Sequence, residues 1–118
     1  MLSPILDSSA DERAAIKPAA LADKLNISMS SLASLLHVSR NRLADKASVV
    51  KVQSAMAPLL RILTLAEQAT GSERRAILWF KFNPIPSLGL KTPMELVEDG
   101  KPEWVMAHIA DVMNGVYA

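Results

Sequence analysis

The side chains that could perform acid–base, nucleophilic or metal chemistry are few and scattered. The chain has two histidines, His37 and His108, and no cysteine. Neither histidine belongs to a recognisable catalytic motif. There is no serine-nucleophile signature, no phosphate-cradling glycine-rich loop and no metal-ligand spacing. The expectation is a binding protein rather than an enzyme, with no cofactor and no metal. The absence of cysteine also excludes a disulfide framework and thiolate ligands.

Recognition chemistry is more visible. Residues 24–61 carry Lys24, Arg40, Arg42, Lys46, Lys51 and Arg61 against Asp45 alone, whereas the flanking segments are acidic and bring the whole chain to +1. A basic stretch of this kind suits phosphate contact, but it also describes an ordinary solvated helix face, and charge by itself favours neither. Within it, Ser39, Arg40, Asn41, Arg42 and Lys46 are the candidates. Ser39 can cap a short helix whose opening residues would offer Arg40, Asn41 and Arg42 to base edges and phosphates. The competing reading is a set of exposed polar residues on a short helix with no ligand. DNA binding through them should be salt-sensitive and should require two copies, since one short module gives little specificity.

The elements that would position these groups are helical. Half of the residues are apolar, yet the aromatic ones are only Trp79, Phe80, Phe82, Trp104 and Tyr117. An apolar surface made of Leu, Ala, Val, Ile and Met favours helix over strand. Residues 1–10 show no periodicity and are expected to be a flexible N-terminus. A first helix is expected to begin near Asp11–Glu12, with Pro18 kinking it or opening a new one. Ser28 is a natural cap for the next, on which Leu32, Leu35 and Leu36 share a face. A break at Val38–Ser39 leads to a helix running to about Lys46. Two short helices, a tight turn and small Ala33 at the crossing together spell a helix-turn-helix region over 11–53.

A long helix is expected from about Ser48 to Thr70, kinked or divided by Pro58, with Gly71 as stop and Ser72 as the next cap. Residues 73–82 then form a helix so apolar around its circumference that it must be buried in the fold or against a partner. Trp79 and Phe80, a hundred degrees apart, read as core more than contact. Pro84, Pro86 and Gly89 exclude regular structure from 83–91. Thr92, Pro93 and Glu95 write a capping box. A short helix ends at Asp99–Gly100, and Pro102 opens a last one closed by Gly115. On that last helix Trp104 and His108 share a face and read as a structural stacking pair.

The second half resembles the toxin-binding domain shared by the Xre, MbcA and ParS antitoxins. The residues that carry the resemblance are Gly71-Ser72, Trp79-Phe80, Pro84-Ile85-Pro86, Leu88-Gly89, Lys91-Thr92-Pro93, Glu95-Leu96-Val97, Gly100 and Asn114-Gly115-Val116-Tyr117-Ala118. They span roughly residues 54–118, and the upstream helix-turn-helix fits the family's usual layout. Two positions depart from it: Leu90 stands where the loop often has a second glycine, and His37 where the turn often has one.

The resemblance implies an antitoxin that neutralises a RES-class toxin, an NAD-consuming or ADP-ribosylating protein, and that represses its own operon through the helix-turn-helix. It implies toxin contact by Trp79, Pro84, Pro86 and Lys91, and by Gly115, Val116, Tyr117 and Ala118, which would block the toxin's active site. A tail after a helix stop often folds back over its own core; the resemblance favours the plug, with an apolar anchor, an aromatic and a carboxylate facing a pocket for an anionic dinucleotide.

The reading as a whole is an all-α protein in which a helix-turn-helix region packs with a toxin-binding domain over 54–118. It is expected in the cytoplasm, with no secretory signal and no apolar run approaching the roughly 20 residues needed to cross a bilayer. Its partners are a RES-domain toxin, operator DNA and a second copy, as homodimer or larger complex with toxin. Self-association is suggested by the apolar helix surfaces from 49 to 80. The alternative is a free-standing helix-turn-helix regulator that uses its second half to dimerise; a helical scaffold without a DNA role is the third class.

Overall fold

The computed structural model describes residues 16–115. The chain is all-α: among the described residues there are seven α-helices, two short 3₁₀ turns and no strand beyond one isolated bridge. Contacts divide it into two compact units, residues 1–57 and 58–118.

In the first unit, Pro18 opens α1 (Pro18–Leu25) at its first position, where the missing N–H costs no hydrogen bond. The start expected near Asp11–Glu12, and the flexible segment 1–10, lie outside the described residues. Ser28 caps α2 (Met29–Leu36), its hydroxyl accepting from the Ser31 N–H at 3.0 Å. Ser39 caps α3 (Arg40–Ala44) in the same way, accepting from the Arg42 N–H.

Both α1 and α2 end on a left-handed residue that is not glycine: Asn26 at φ 53° and His37 at φ 56°. In each case the following N–H reaches back five residues, Ile27 to Ala22 at 3.0 Å and Val38 to Ala33 at 3.1 Å. This Schellman closure satisfies carbonyls that the helix end leaves open. His37 therefore keeps the conformation a glycine would supply, at the steric cost of its Cβ.

The third helix is shorter than the expected run to Lys46. Asp45 stops it by taking an extended conformation and accepting from the Ala47 N–H and the Ser48 hydroxyl, each at 3.1 Å. Those bonds start a 3₁₀ turn, Lys46–Ser48, that leads into α4 (Val49–Thr70). Leu21, Ala22, Leu25, Leu32, Ala33, Leu35, Leu36, Leu43, Val52 and Met56 are the buried apolar residues described in this unit. The Gln53 side-chain amide donates to the Ile16 carbonyl at 2.8 Å, tying α4 to the segment before α1.

Pro58 lies inside α4 and does not divide it. The boundary between the two compact units nevertheless falls at this residue. The stretch Lys46–Thr70 is long and apolar enough, by length and composition, to cross a bilayer. It is not an uninterrupted apolar run, since Gln53, Arg61 and Glu67 are scattered along it. Val52, Met56, Leu59, Leu60, Ile62, Leu63 and Ala66 are buried within the protein, so much of that apolar content already has a place in a core.

In the second unit, Gly71 at φ 92° ends α4 and Ser72 caps α5 (Glu73–Phe82), accepting from the Arg75 N–H at 3.1 Å. Helix α6 (Pro93–Glu98) starts at the expected capping box, and α7 (Pro102–Met113) starts at Pro102. Helix α6 packs on both α5 and α7. Phe80, Ile85, Leu96, Val105 and Ile109 are fully or almost fully buried.

Helix α5 is not covered all round. Only Ala76 and Phe80 are buried, while Leu78 is 47% and Phe82 64% exposed. The self-association argument from residues 49–80 narrows accordingly, since most of that apolar surface is consumed internally. Phe80→Ala should cost about 3–5 kcal/mol in denaturant unfolding, the range for emptying a buried aromatic site. Phe82→Ala, two residues along the same helix, should stay within about 0.5 kcal/mol. Equal effects would contradict the burial pattern of α5.

Candidate protein-binding surface

The loop between α5 and α6 is ordered by one buried side chain and three backbone bonds. Ile85 is 1% exposed. Its N–H donates to the Lys91 carbonyl at 2.9 Å, and its carbonyl accepts from the N–H groups of Leu88 at 3.0 Å and Leu90 at 2.9 Å. A 3₁₀ turn, Pro86–Leu88, and an antiparallel bridge between Ile85 and Lys91 result. The expectation that two prolines and a glycine exclude regular structure is corrected: proline fits the first position of a 3₁₀ turn, where no donor is needed.

Gly89 and Leu90 close the loop in consecutive left-handed conformations, φ 75° and 62°. Leu90 thus adopts a conformation that glycine takes at less steric cost. Its side chain is 66% exposed, so little packing offsets the strain of its Cβ.

Lys91 forms an ion pair with Asp99, at the far end of α6. The hydrogen bond to Asp99, followed by its charge, raises the Lys91 ammonium above its ordinary value. The same hydrogen bond lowers the Asp99 carboxyl; desolvation opposes it, and the charges of Lys91 and Lys101 add to the lowering. Thr92 and Glu95 complete the capping box: Glu95 N–H donates to the Thr92 hydroxyl at 3.1 Å and Thr92 N–H to the Glu95 carboxylate at 2.9 Å. Beside them an open groove of about 290 Å³ is lined by Ser87, Leu88, Gly89, Lys91, Leu96, Asp99, Lys101 and Trp104. The Lys101 ammonium lies 4.0 Å from the centre of the Trp104 ring, a cation–π contact.

Of the residues the sequence singled out, Pro84, Pro86 and Lys91 are exposed on this one loop. Trp79 is half-buried and lines a different cleft, of about 180 Å³, with Ala66, Ala69, Thr70, His108, Ile109 and Val112. Gly115 ends the described chain at φ 80°, exposed. Val116, Tyr117 and Ala118 lie outside the described residues. Among the described residues of this unit, Leu78, Phe82, Leu90, Trp104, Val112 and Met113 are the large apolar side chains left exposed. Sequence reasoning did not single out their exposure, because apolar type marks surface and core alike.

In the first unit Ser39, Arg40, Asn41, Arg42 and Lys46 are all exposed. Ser39 is engaged as the cap, while Arg40, Asn41 and Arg42 occupy the opening turn of a five-residue helix. Among the described residues no group of three or more His, Cys, Asp or Glu is placed to hold a metal ion. Compared with known proteins, the chain matches no family model, no curated protein and no solved structure.

Leu90→Gly should raise stability by about 1 kcal/mol, since the strain of a left-handed leucine exceeds the entropy cost of a glycine. A loss of stability would mean that the Leu90 side chain packs within the fold. The Lys91–Asp99 pair sets a pH signature. Asp99 is lowered on folding, so its contribution is present above the ordinary carboxylate value and lost as pH falls through the lowered one. Lys91 is raised, so its contribution is lost only as pH climbs through its raised value. Asp99→Asn should therefore flatten the acid limb of a stability–pH curve at low salt and change little in high salt, because the pair is exposed.

Proposed function

We propose that the chain is an antitoxin whose second unit binds and inhibits a RES-domain toxin, one that consumes NAD or transfers ADP-ribose from it. The observation that carries the reading is the set of large apolar side chains left exposed in the second unit, on α5, in the loop after it and on α7. Leu78, Phe82, Leu90, Trp104, Val112 and Met113 are each 43% exposed or more. Apolar side chains gathered on a small domain mark a surface for another macromolecule. The residues of the antitoxin motif, from Gly71 through Pro84, Pro86 and Lys91 to Gly115, lie in the same unit.

In this reading Trp79, Pro84, Pro86 and Lys91 contact the toxin. Gly115, Val116, Tyr117 and Ala118 reach its active-site entrance, where Tyr117 excludes the dinucleotide. The antitoxin itself performs no catalysis and needs no cofactor; it acts in the cytoplasm beside its toxin. The first unit binds operator DNA through Ser39, Arg40, Asn41, Arg42 and Lys46, in a dimer or a larger complex with toxin. The exposed basic group on α3 also fits the second reading, a free-standing regulator whose second unit serves dimerisation.

Coexpression with a RES-domain toxin tests the reading. The full chain should protect cells and silence NAD consumption in the purified complex. Removing residues 115–118, or Tyr117→Ala, should abolish protection while leaving a folded protein by circular dichroism. Full protection by the truncated chain would sink the plug. No partner, with operator bound by the chain alone, would favour the regulator. Arg40→Ala and Arg42→Ala should each weaken operator binding and lower its salt slope by about one.

A further inference from the structure

We propose that Asn114–Gly115 is a self-modification site, at which the Asn114 carboxamide cyclises onto the Gly115 nitrogen and opens to isoaspartate, gated by fraying of the last turn of α7. The chemistry is independent of the toxin-binding reading; its effect on inhibition rests on that reading. The Gly115 amide nitrogen gives its proton to solvent base and attacks Cγ of Asn114. A five-membered succinimide forms, the Cγ–Nδ2 bond breaks, and the amide nitrogen takes up a proton and leaves as ammonia. Water then opens the ring at either carbonyl, giving aspartate or isoaspartate. Isoaspartate carries the backbone through Cβ, so the main chain gains one methylene and the site a negative charge.

The chain's asparagines are Asn26, Asn41, Asn83 and Asn114, and the residue after each decides its fate. Ring closure needs an N–H on that residue and room around it. Asn83 precedes Pro84, which has no N–H. Asn26 precedes β-branched Ile27, whose N–H is held by the Ala22 carbonyl at 3.0 Å. Asn41 lies in α3, where the Arg42 N–H donates to the Ser39 carbonyl at 3.1 Å. Asn114 alone precedes glycine, and both residues are exposed. Apart from its chain neighbours, no described atom lies within 4 Å of the place a Gly115 Cβ would take.

The helix end supplies the gate. At ψ 6° Asn114 turns the Gly115 nitrogen toward its own N–H and away from its Cβ. The Gly115 N–H donates to the Val112 carbonyl at 3.1 Å, so attack requires that bond to break. A terminal turn opens at little cost, and Val112 and Met113 beside it are themselves exposed. Asp99–Gly100, which could close the same ring by losing water, is held more firmly. That closure needs the protonated acid, and the Lys91 ion pair keeps Asp99 ionised. The Gly100 N–H donates to Val97 at 3.0 Å and the Lys101 N–H to Leu96 at 2.9 Å, between two helices packed on each other. Freeing that junction means opening part of the unit.

Ageing the full chain in warm neutral buffer, beside the same chain unfolded in urea, tests the proposal by peptide mapping and ammonia release. Isoaspartate should form at 114 within about tenfold of its unfolded rate, as fraying of a helix end allows. Against its own unfolded rate, Asp99 should be slowed about a hundredfold or more, as opening of packed helices requires. Asn114→Gln should lose the ammonia release, because its longer side chain closes a six-membered ring far more slowly. Isoaspartate arising first at Asn26 or Asn41 would overturn the site, and protection of Asn114 equal to that of Asp99 would overturn the gate. Aged chain should also lose inhibition of a RES-domain toxin in step with isoaspartate, while aged Asn114→Gln keeps whatever inhibition it has when fresh. Fresh chain that fails to inhibit would refute the toxin-binding reading and leave the modification standing.

Discussion

The second unit depends on Ile85. Its side chain is buried, and its N–H and carbonyl together make three of the bonds that close the loop between α5 and α6. Burial anchors the loop to the core, and the bonds set its path. That path fixes the left-handed pair Gly89–Leu90 and brings Lys91 within reach of Asp99. It also delivers Thr92 to the start of α6 in the extended conformation a cap requires. A polar substitution at Ile85 would loosen all of these at once.

Helix α5 shows how one element serves two purposes. Phe80 is wholly buried, while Leu78 and Phe82 point to solvent from the adjacent faces. The helix is secured by a narrow side, with Ala76 and Phe80 as its buried residues. Ile77 and Trp79 are partly covered, and Leu78 and Phe82 are left open. Exposed leucine and phenylalanine carry a hydration cost that association would relieve. This marks the exposed side of α5 as a recognition surface.

Much of the fold was legible because its signals are local. Ser28, Ser39, Ser72 and Thr92 each cap the helix that follows, and Pro18, Pro93 and Pro102 each sit at a helix opening. Such features need only hydrogen bonds between near neighbours, so spacing reveals them. The premature end of α3 was not legible in the same way. Asp45 chose between continuing a helix and capping a new turn, and residue type allows both. The Pro86–Leu88 turn was missed because prolines that forbid an α-helix interior still suit a 3₁₀ opening.

The sequence by itself determined the helical class, the helix caps and the placement of a basic segment in residues 24–61. These follow from propensities and spacings within about a turn of helix. Only tertiary structure decided which apolar residues of α5 are covered, that Lys91 pairs with Asp99, and that Leu90 stands exposed in a strained conformation. Burial is a property of what packs against a residue from elsewhere in the chain. A leucine or phenylalanine reads the same in sequence whether a core or a partner is to cover it.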